Sequence, residues 1–169
     1  MKRSNLTLLL LVASLPQAFA QGIVNEPTIS ADAALEAVAG ALAQCRSVGG
    51  KVSVTVLDSA GRPKAMVRDD GAAPHSAEHS LRKAYTALTY RMPSSEYGKR
   101  AAEAKGVAIG PQLLPNITTS AGGIPIKVGG ATIGAIGVSG TPSGAGGGGG
   151  DAKCAEAGLA RIARELVAK

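Results

Sequence analysis

The chain has 169 residues, 45% of them hydrophobic and 18% charged, with a formal net charge of +6. It contains no Trp and one Phe, and its Lys and Arg residues form no run. It therefore lacks both the stacking aromatics and the basic stripe of a nucleic-acid-binding surface. A mild positive charge suits a small anionic ligand or an anionic surface instead.

Residues 1–20 read as an export signal. Lys2 and Arg3 make a positive start, Leu6 to Leu15 an apolar run, and Ala18-Phe19-Ala20 a small-residue cleavage site before Gln21. The run is too short for a bilayer span, which needs ~20 apolar residues, and no later segment comes near that length. An uncleaved anchor is the alternative. The sequence thus predicts a periplasmic or secreted protein cut after Ala20, with no membrane span once cleaved. Residues 21–29 would form an extension and 30–169 one domain, with sixteen basic against twelve acidic residues left.

Ser30 is placed to cap a helix running to about Ser47. Asp32 and Glu36 sit near its positive end, and Ala34, Leu35, Val38, Ala41 and Leu42 line one face. Gly49-Gly50 stops it. Val52, Val54 and Val56 alternate with Lys51, Ser53 and Thr55, the pattern of a half-buried strand. Asp58-Ser59-Ala60-Gly61 then turns the chain into a second strand over about 64–68, ended by Asp69-Asp70-Gly71. A second helix runs from Pro74 or Ser76 to Arg91 and is stopped by Pro93. A third runs from Ser94 or Ser95 to about Lys105. Residues 106–120, broken by Pro111 and Pro115, read as irregular, with room for a short strand near 117–120.

Ile124, Ile126 and Val128 precede Gly129-Gly130, and Ile133, Ile136 and Val138 follow it. Both loop glycines accept positive φ without penalty, so 123–139 reads as a β-hairpin. Pro125 cannot donate to a ladder and puts its strand at a sheet edge. Gly134 and Gly137 leave the second strand nearly bare, which points to very close approach by a helix backbone or a ligand. Gly144 to Gly150 reads as a low-complexity tether without the Lys and Ser/Thr of a phosphate loop. Asp151 then caps a last helix, with Leu159, Ile162, Ala163 and Leu166 on one face. The order α-ββ-αα-ββ-α predicts a single α/β (α+β) domain, an antiparallel sheet with helices covering its faces.

Cys45 and Cys154 are the only cysteines. In an exported chain an even pair is read first as a disulfide, and free or catalytic thiols are the alternative. His75-Ser76-Ala77-Glu78-His79 matches the H-x-x-E-H pattern of inverted zinc peptidases, in which residues 75 and 79 share a helix face. No second motif supplies a third protein ligand. Arg82, Lys83, Tyr85 and Tyr90 lie on the same helix, with Met92 and Tyr97 just beyond. His, Tyr or Met can ligate haem iron, and Arg or Lys can hold propionates. The plainer reading makes the histidines surface residues and the tyrosines core or interface aromatics. Asn116-Ile117-Thr118 fits a glycosylation sequon and carries little weight.

Five short motifs fall in one order: Val54-Thr55-Val56-Leu57-Asp58-Ser59-Ala60-Gly61, Asp70-Gly71-Ala72, Arg82-Lys83-Ala84-Tyr85-Thr86-Ala87, Gly122-Gly123-Ile124-Pro125-Ile126, and Gly134-Ala135-Ile136-Gly137-Val138-Ser139-Gly140. Over residues 30–167 the chain resembles the GlcG/HbpS family, described as haem-binding or haem-degrading, which includes the C-terminal domain of PduO-type proteins. The resemblance implies a five-stranded antiparallel sheet flanked by helices, profilin-like in order, and homo-oligomers from dimer to octamer. For the exported branch, which the Cys45 and Cys154 pair also resembles, it implies haem or iron binding and in some members a sensor partner. Lys83 to Ala87 match the family signature, and His75 stands where similar exported members often carry His. The leading expectation is an exported haem- or iron-binding oligomer without robust catalysis. His75 or His79 would meet iron, and Arg82 or Lys83 the propionates, with Tyr85, Gly134 and Gly137 as further ligand-site candidates. The alternatives are a binder of a small organic anion near Arg82, Lys83 and the bare strand, an assembly or sensor scaffold, and a zinc hydrolase through His75, Glu78 and His79.

Overall fold

A computed structural model describes Gly22 and residues 24–104, 114–142 and 149–166. Residues 1–20, expected to be an export signal, lie outside the described residues, as do 105–113 and the 143–148 part of the glycine-rich run. Helix α1 (Ala31–Ser47) opens on Ser30, whose hydroxyl accepts from the Ala33 N–H at 3.2 Å. It leads into the hairpin β1 (Ser53–Asp58) and β2 (Pro63–Arg68), then helices α2 (His75–Tyr90) and α3 (Ser94–Glu103). The hairpin β3 (Gly123–Val128) and β4 (Ala131–Ser139) turns on Gly129 and Gly130, both at positive φ, before α4 (Gly149–Ile162).

All pairings are antiparallel, in the order β2-β1-β4-β3. Pro125 does lie on an edge strand. Among the described residues the sheet has four strands rather than five. Residues 117–120 form no strand because α2 and α3 side chains satisfy their backbone. Thr118 N–H donates to Thr86 Oγ1 at 2.9 Å, and the Ser120 carbonyl accepts from Ser94 Oγ at 2.7 Å. The last helix also departs from expectation. It begins at Gly149, so Gly149 and Gly150 are helical and Asp151 is inside the first turn rather than capping it.

Cross-strand partners share a face, and the two faces differ sharply. Val54 opposite Val138, and Val56 and Ile124 opposite Ile136, project toward α1 and α4, where the main apolar core gathers. There Ala33, Ala34, Ala37 and Ala41 of α1 meet Ala155 and Gly158 of α4, with the Ala37 carbonyl only 2.5 Å from where a Gly158 Cβ would sit. Cys45 and Cys154 form a buried disulfide between these two helices, Cα atoms 5.5 Å apart. Closing a loop of 109 residues, it contributes at most ~4–5 kcal/mol on loop-entropy grounds.

The opposite face carries Ser53, Thr55, Gly123, Gly137 and Ser139, and α2 lies on it. A Cβ on Gly137 would stand 2.1 Å from the Ser80 carbonyl oxygen, and one on Gly123 would stand 2.0 Å from that of Lys83. The bare strand is therefore covered by helix backbone, and no ligand fits between. Gly134, on the core side with Ile136, is closed by strand backbone instead, its Cβ position 2.4 Å from the Leu57 carbonyl oxygen of β1 and 3.2 Å from Ile29.

Candidate functional site

Helix α2 is set on the sheet by small residues every turn. Ser80 donates to the Ala77 carbonyl at 2.8 Å, so the Thr55 hydroxyl must donate to Ser80 Oγ, 2.7 Å away. Ser76 donates to the Ala73 carbonyl at 2.6 Å, and Ser53 correspondingly to Ser76 at 2.8 Å. With these contacts fixing the helix rotation, residues 75, 78 and 82 fall on its solvent side.

His75, Glu78, His79 and Arg82 line one open depression of about 210 Å³. His75 is exposed. Glu78 accepts from Arg82 Nη2 at 2.5 Å across one helical turn. Arg82, in this depression's wall, has a buried Nε with no hydrogen-bond partner among the described residues. His79 is half-buried: its Nδ1 lies 3.1 Å from Ser139 Oγ, and its Nε2 lies 3.4 Å from Thr118 Oγ1. Burial first, then the positive charge of Lys83, hold its pKa below the ordinary imidazole value, which favours the neutral ring.

The remaining sequence candidates separate from this group. Lys83 is not available to an anionic ligand, because its side chain is 3% exposed and its Nζ donates to Asp151 Oδ2 at 2.6 Å. Thr141 donates to Asp151 Oδ1 through both its N–H, at 3.0 Å, and its hydroxyl, at 2.8 Å. Gly122 makes room for this pair, since a Cβ there would lie 2.8 Å from the Asp151 Cβ and 3.1 Å from the Lys83 Cδ. Gly134 and Gly137 are sealed by backbone, as described above. Tyr85 faces Gly61 at the far end of α2, in a different hollow. Tyr90 stacks on Tyr97 with ring centroids 4.0 Å apart, and burial pushes its phenol up to about 12, so it is a packed neutral aromatic. The pairing of Arg82 with Lys83 in one anion pocket is thus not built.

Among the described residues no three His, Cys, Asp or Glu side chains converge as a metal cluster. His75, Glu78 and His79 share a depression, but Glu78 is tied to Arg82 and both His79 nitrogens face hydroxyls. The H-x-x-E-H pattern is therefore not built as a three-ligand zinc centre. Sequence reasoning missed Asp151, Ser139 and Thr118, all distant in the chain from α2. A signal existed for the helix seat: Ser76, Ser80, Ala84 and Ala87 make a small-residue stripe matching the glycines of β3 and β4.

Comparison with known proteins places this geometry in context. Protein GlcG of Escherichia coli K12 is 35% identical over 88 residues, 52% of this chain and 63% of its own length. The match thus spans less than two thirds of that relative. The crystal structure of HbpS superposes with a TM-score of 0.76 at 35% identity, covering 85% of this chain and 96% of HbpS. A PduOC–haem complex shares the fold, with a TM-score of 0.69 at 24% identity, covering 80% of this chain and 95% of that one. Residues 29–160 match the family described as "Haem degrading protein HbpS-like". With that match running from just before α1 nearly to the end of α4, the chain belongs to the HbpS-like family of haem-binding and haem-degrading proteins.

Proposed function

We propose that the protein is an exported, homo-oligomeric haem- or iron-binding protein without catalysis of its own, and that the N-terminal half of α2 is its iron face. The observation that carries this is the depression itself. It holds an exposed imidazole, His75, and the guanidinium of Arg82, whose Nε has no partner among the described residues, two turns apart on one helix. These groups suit two parts of a haem: imidazole for the central iron, guanidinium for a propionate at the rim. His75 is the freer ligand, because both nitrogens of His79 already face hydroxyls.

At about 210 Å³ and open to solvent, the depression cannot enclose a porphyrin within one subunit. Left open in one subunit, the depression suits closure by a second copy, and the apolar exposure of Met66 and Val67 on edge strand β2 supports the oligomer reading. Binding rather than degradation is favoured because Glu78 is committed to Arg82 and His79 to Ser139 and Thr118, which leaves no free acid–base pair. Export is supported by the N-terminal signal pattern and by a disulfide, a bond of oxidising compartments.

Titration of the purified protein with haemin should give a saturable Soret band that weakens in the His75→Ala/His79→Ala variant. No band at micromolar haemin would eliminate the proposal. Incubating the complex with a reductant and oxygen should leave the band in place; a bile-pigment spectrum would overturn the non-catalytic part. Recovery of protein beginning at Gln21 from the exported fraction tests the address.

A further inference from the structure

The other end of α2 holds a second hollow, of about 290 Å³, which the haem reading does not use. Ser59 and Gly61 from the β1–β2 turn, Tyr85 and Thr89 from α2, Arg91 at its C-cap and Thr132 from β4 converge on it, over the apolar Leu88. Three separate elements thus contribute four hydroxyl-bearing residues and one arginine to the lining of a single space. Among the described residues no hydrogen bond engages the hydroxyls of Ser59, Tyr85, Thr89 or Thr132, or the Arg91 guanidinium. The turn is fixed in advance: Asp58 Oδ1 accepts from Ala60 N–H at 3.0 Å and from Arg62 N–H at 2.9 Å.

Arg91 is the sole non-glycine residue with positive φ among those described, at φ 55° and ψ 29°. A helix C-terminus commonly ends in this left-handed conformation, and glycine is its usual occupant. Here the position carries the one cation lining the hollow.

We propose that this hollow binds a small carboxylate that also carries a hydroxyl group. Arg91 takes the carboxylate through its planar fork, a geometry that a guanidinium matches better than an ammonium does. The last carbonyls of α2 lack intrahelical donors and give this end a partial negative charge. That charge weighs on any anion, on the more highly charged phosphate more than on a monocarboxylate that Arg91 neutralises, and it rewards a ligand with a hydroxyl able to donate. The volume lies at the lower edge of ligand pockets, roughly 300–1,000 Å³, and limits the ligand to a few heavy atoms.

Amide chemical-shift mapping of the full-length purified protein with lactate, propionate and inorganic phosphate tests this. Lactate should shift Gly61, Thr89, Arg91 and Thr132 saturably, with a dissociation constant near ~1 mM. Propionate, matched in size but lacking the hydroxyl, and phosphate should both bind more weakly. Arg91→Asn suits the left-handed backbone and should keep the fold while weakening lactate binding about tenfold, the scale of one charge-assisted hydrogen bond. Arg82→Gln should leave lactate binding unchanged, and Arg91→Asn should leave the haemin band unchanged, so the two sites fail separately. Absence of saturable shifts, shifts centred on His75 and Arg82, equal or tighter binding of propionate or phosphate, or lactate binding indifferent to Arg91→Asn would each overturn it.

Discussion

The two faces of the one sheet are built on opposite principles. Toward α1 and α4 it presents Val54, Val56, Ile124, Ile136 and Val138, and the layers are held apart by the bulk they bury. Toward α2 it presents Gly123, Gly137, Ser53 and Thr55, and the layers are held together by the near absence of side chains and by hydroxyl pairs. The first face fails when atoms are removed, the second when atoms are added. The second also fixes α2 in rotation and height, since a hydroxyl pair tolerates less sliding than an apolar contact does. That is the face opposite which the functional residues stand.

The largest effect expected is from Gly137→Val. Its Cβ would meet the Ser80 carbonyl at 2.1 Å and the Ala84 nitrogen at 2.6 Å, both helix backbone, so α2 must lift away. A loss of more than about 4 kcal/mol in urea unfolding is expected. On the opposite face Ile136→Ala, a change in the reverse direction, should cost about 3 kcal/mol. A tolerated Gly137→Val would break the contrast between the faces.

Lys83→Met strands a buried Asp151 carboxylate and should cost about 3 kcal/mol, whereas Lys83→Met with Asp151→Leu should recover most of it. If the double variant is no better than the single, the ion pair is not what the variant damages. Thr55→Val keeps the shape and removes one buried hydrogen bond, an expected loss of about 1 kcal/mol. An unchanged unfolding midpoint would mean that the hydroxyl pairs only orient α2 and do not hold it.

The smallest effect is a pH dependence. His79 has its folded pKa depressed by burial and faces Lys83, Asp151, His75 and Arg82. The unfolded chain therefore binds the extra proton first. Its contribution is fully present above the ordinary value of 6.5 and is lost as the pH falls below it. His79→Gln should flatten the stability profile between neutral and mildly acid pH. An unaltered profile would mean that the ring is protonated in the fold without penalty.

Much of this was legible in the chain because it is local. The Ser30 cap, the Gly129-Gly130 turn and the stop at Pro93 each act within a few residues, and each element formed close to where it was expected. Pro125 marked an edge because its missing N–H is a local fact. The fifth strand was not legible, since what becomes of residues 117–120 depends on Thr86 and Ser94 reaching them first. Lys83 was misread for the same reason. Its partner stands 68 residues away, and a lysine on a helix with His and Arg neighbours gives no sign of facing inward. The glycines of β4 announced a close neighbour, and only the packing decided between helix and ligand.

Asp151 and Cys154 stand less than one turn apart on α4, and they moor it to different layers: the carboxylate to α2 across the sheet's edge, the sulfur to α1 on its own side. Reducing the sulfur link leaves that first stretch of α4 still pinned by Lys83, while Ile162 at its far end stays anchored in the core. An oxidised and a reduced molecule would then differ in resistance to unfolding rather than in the seating of the histidine-bearing helix.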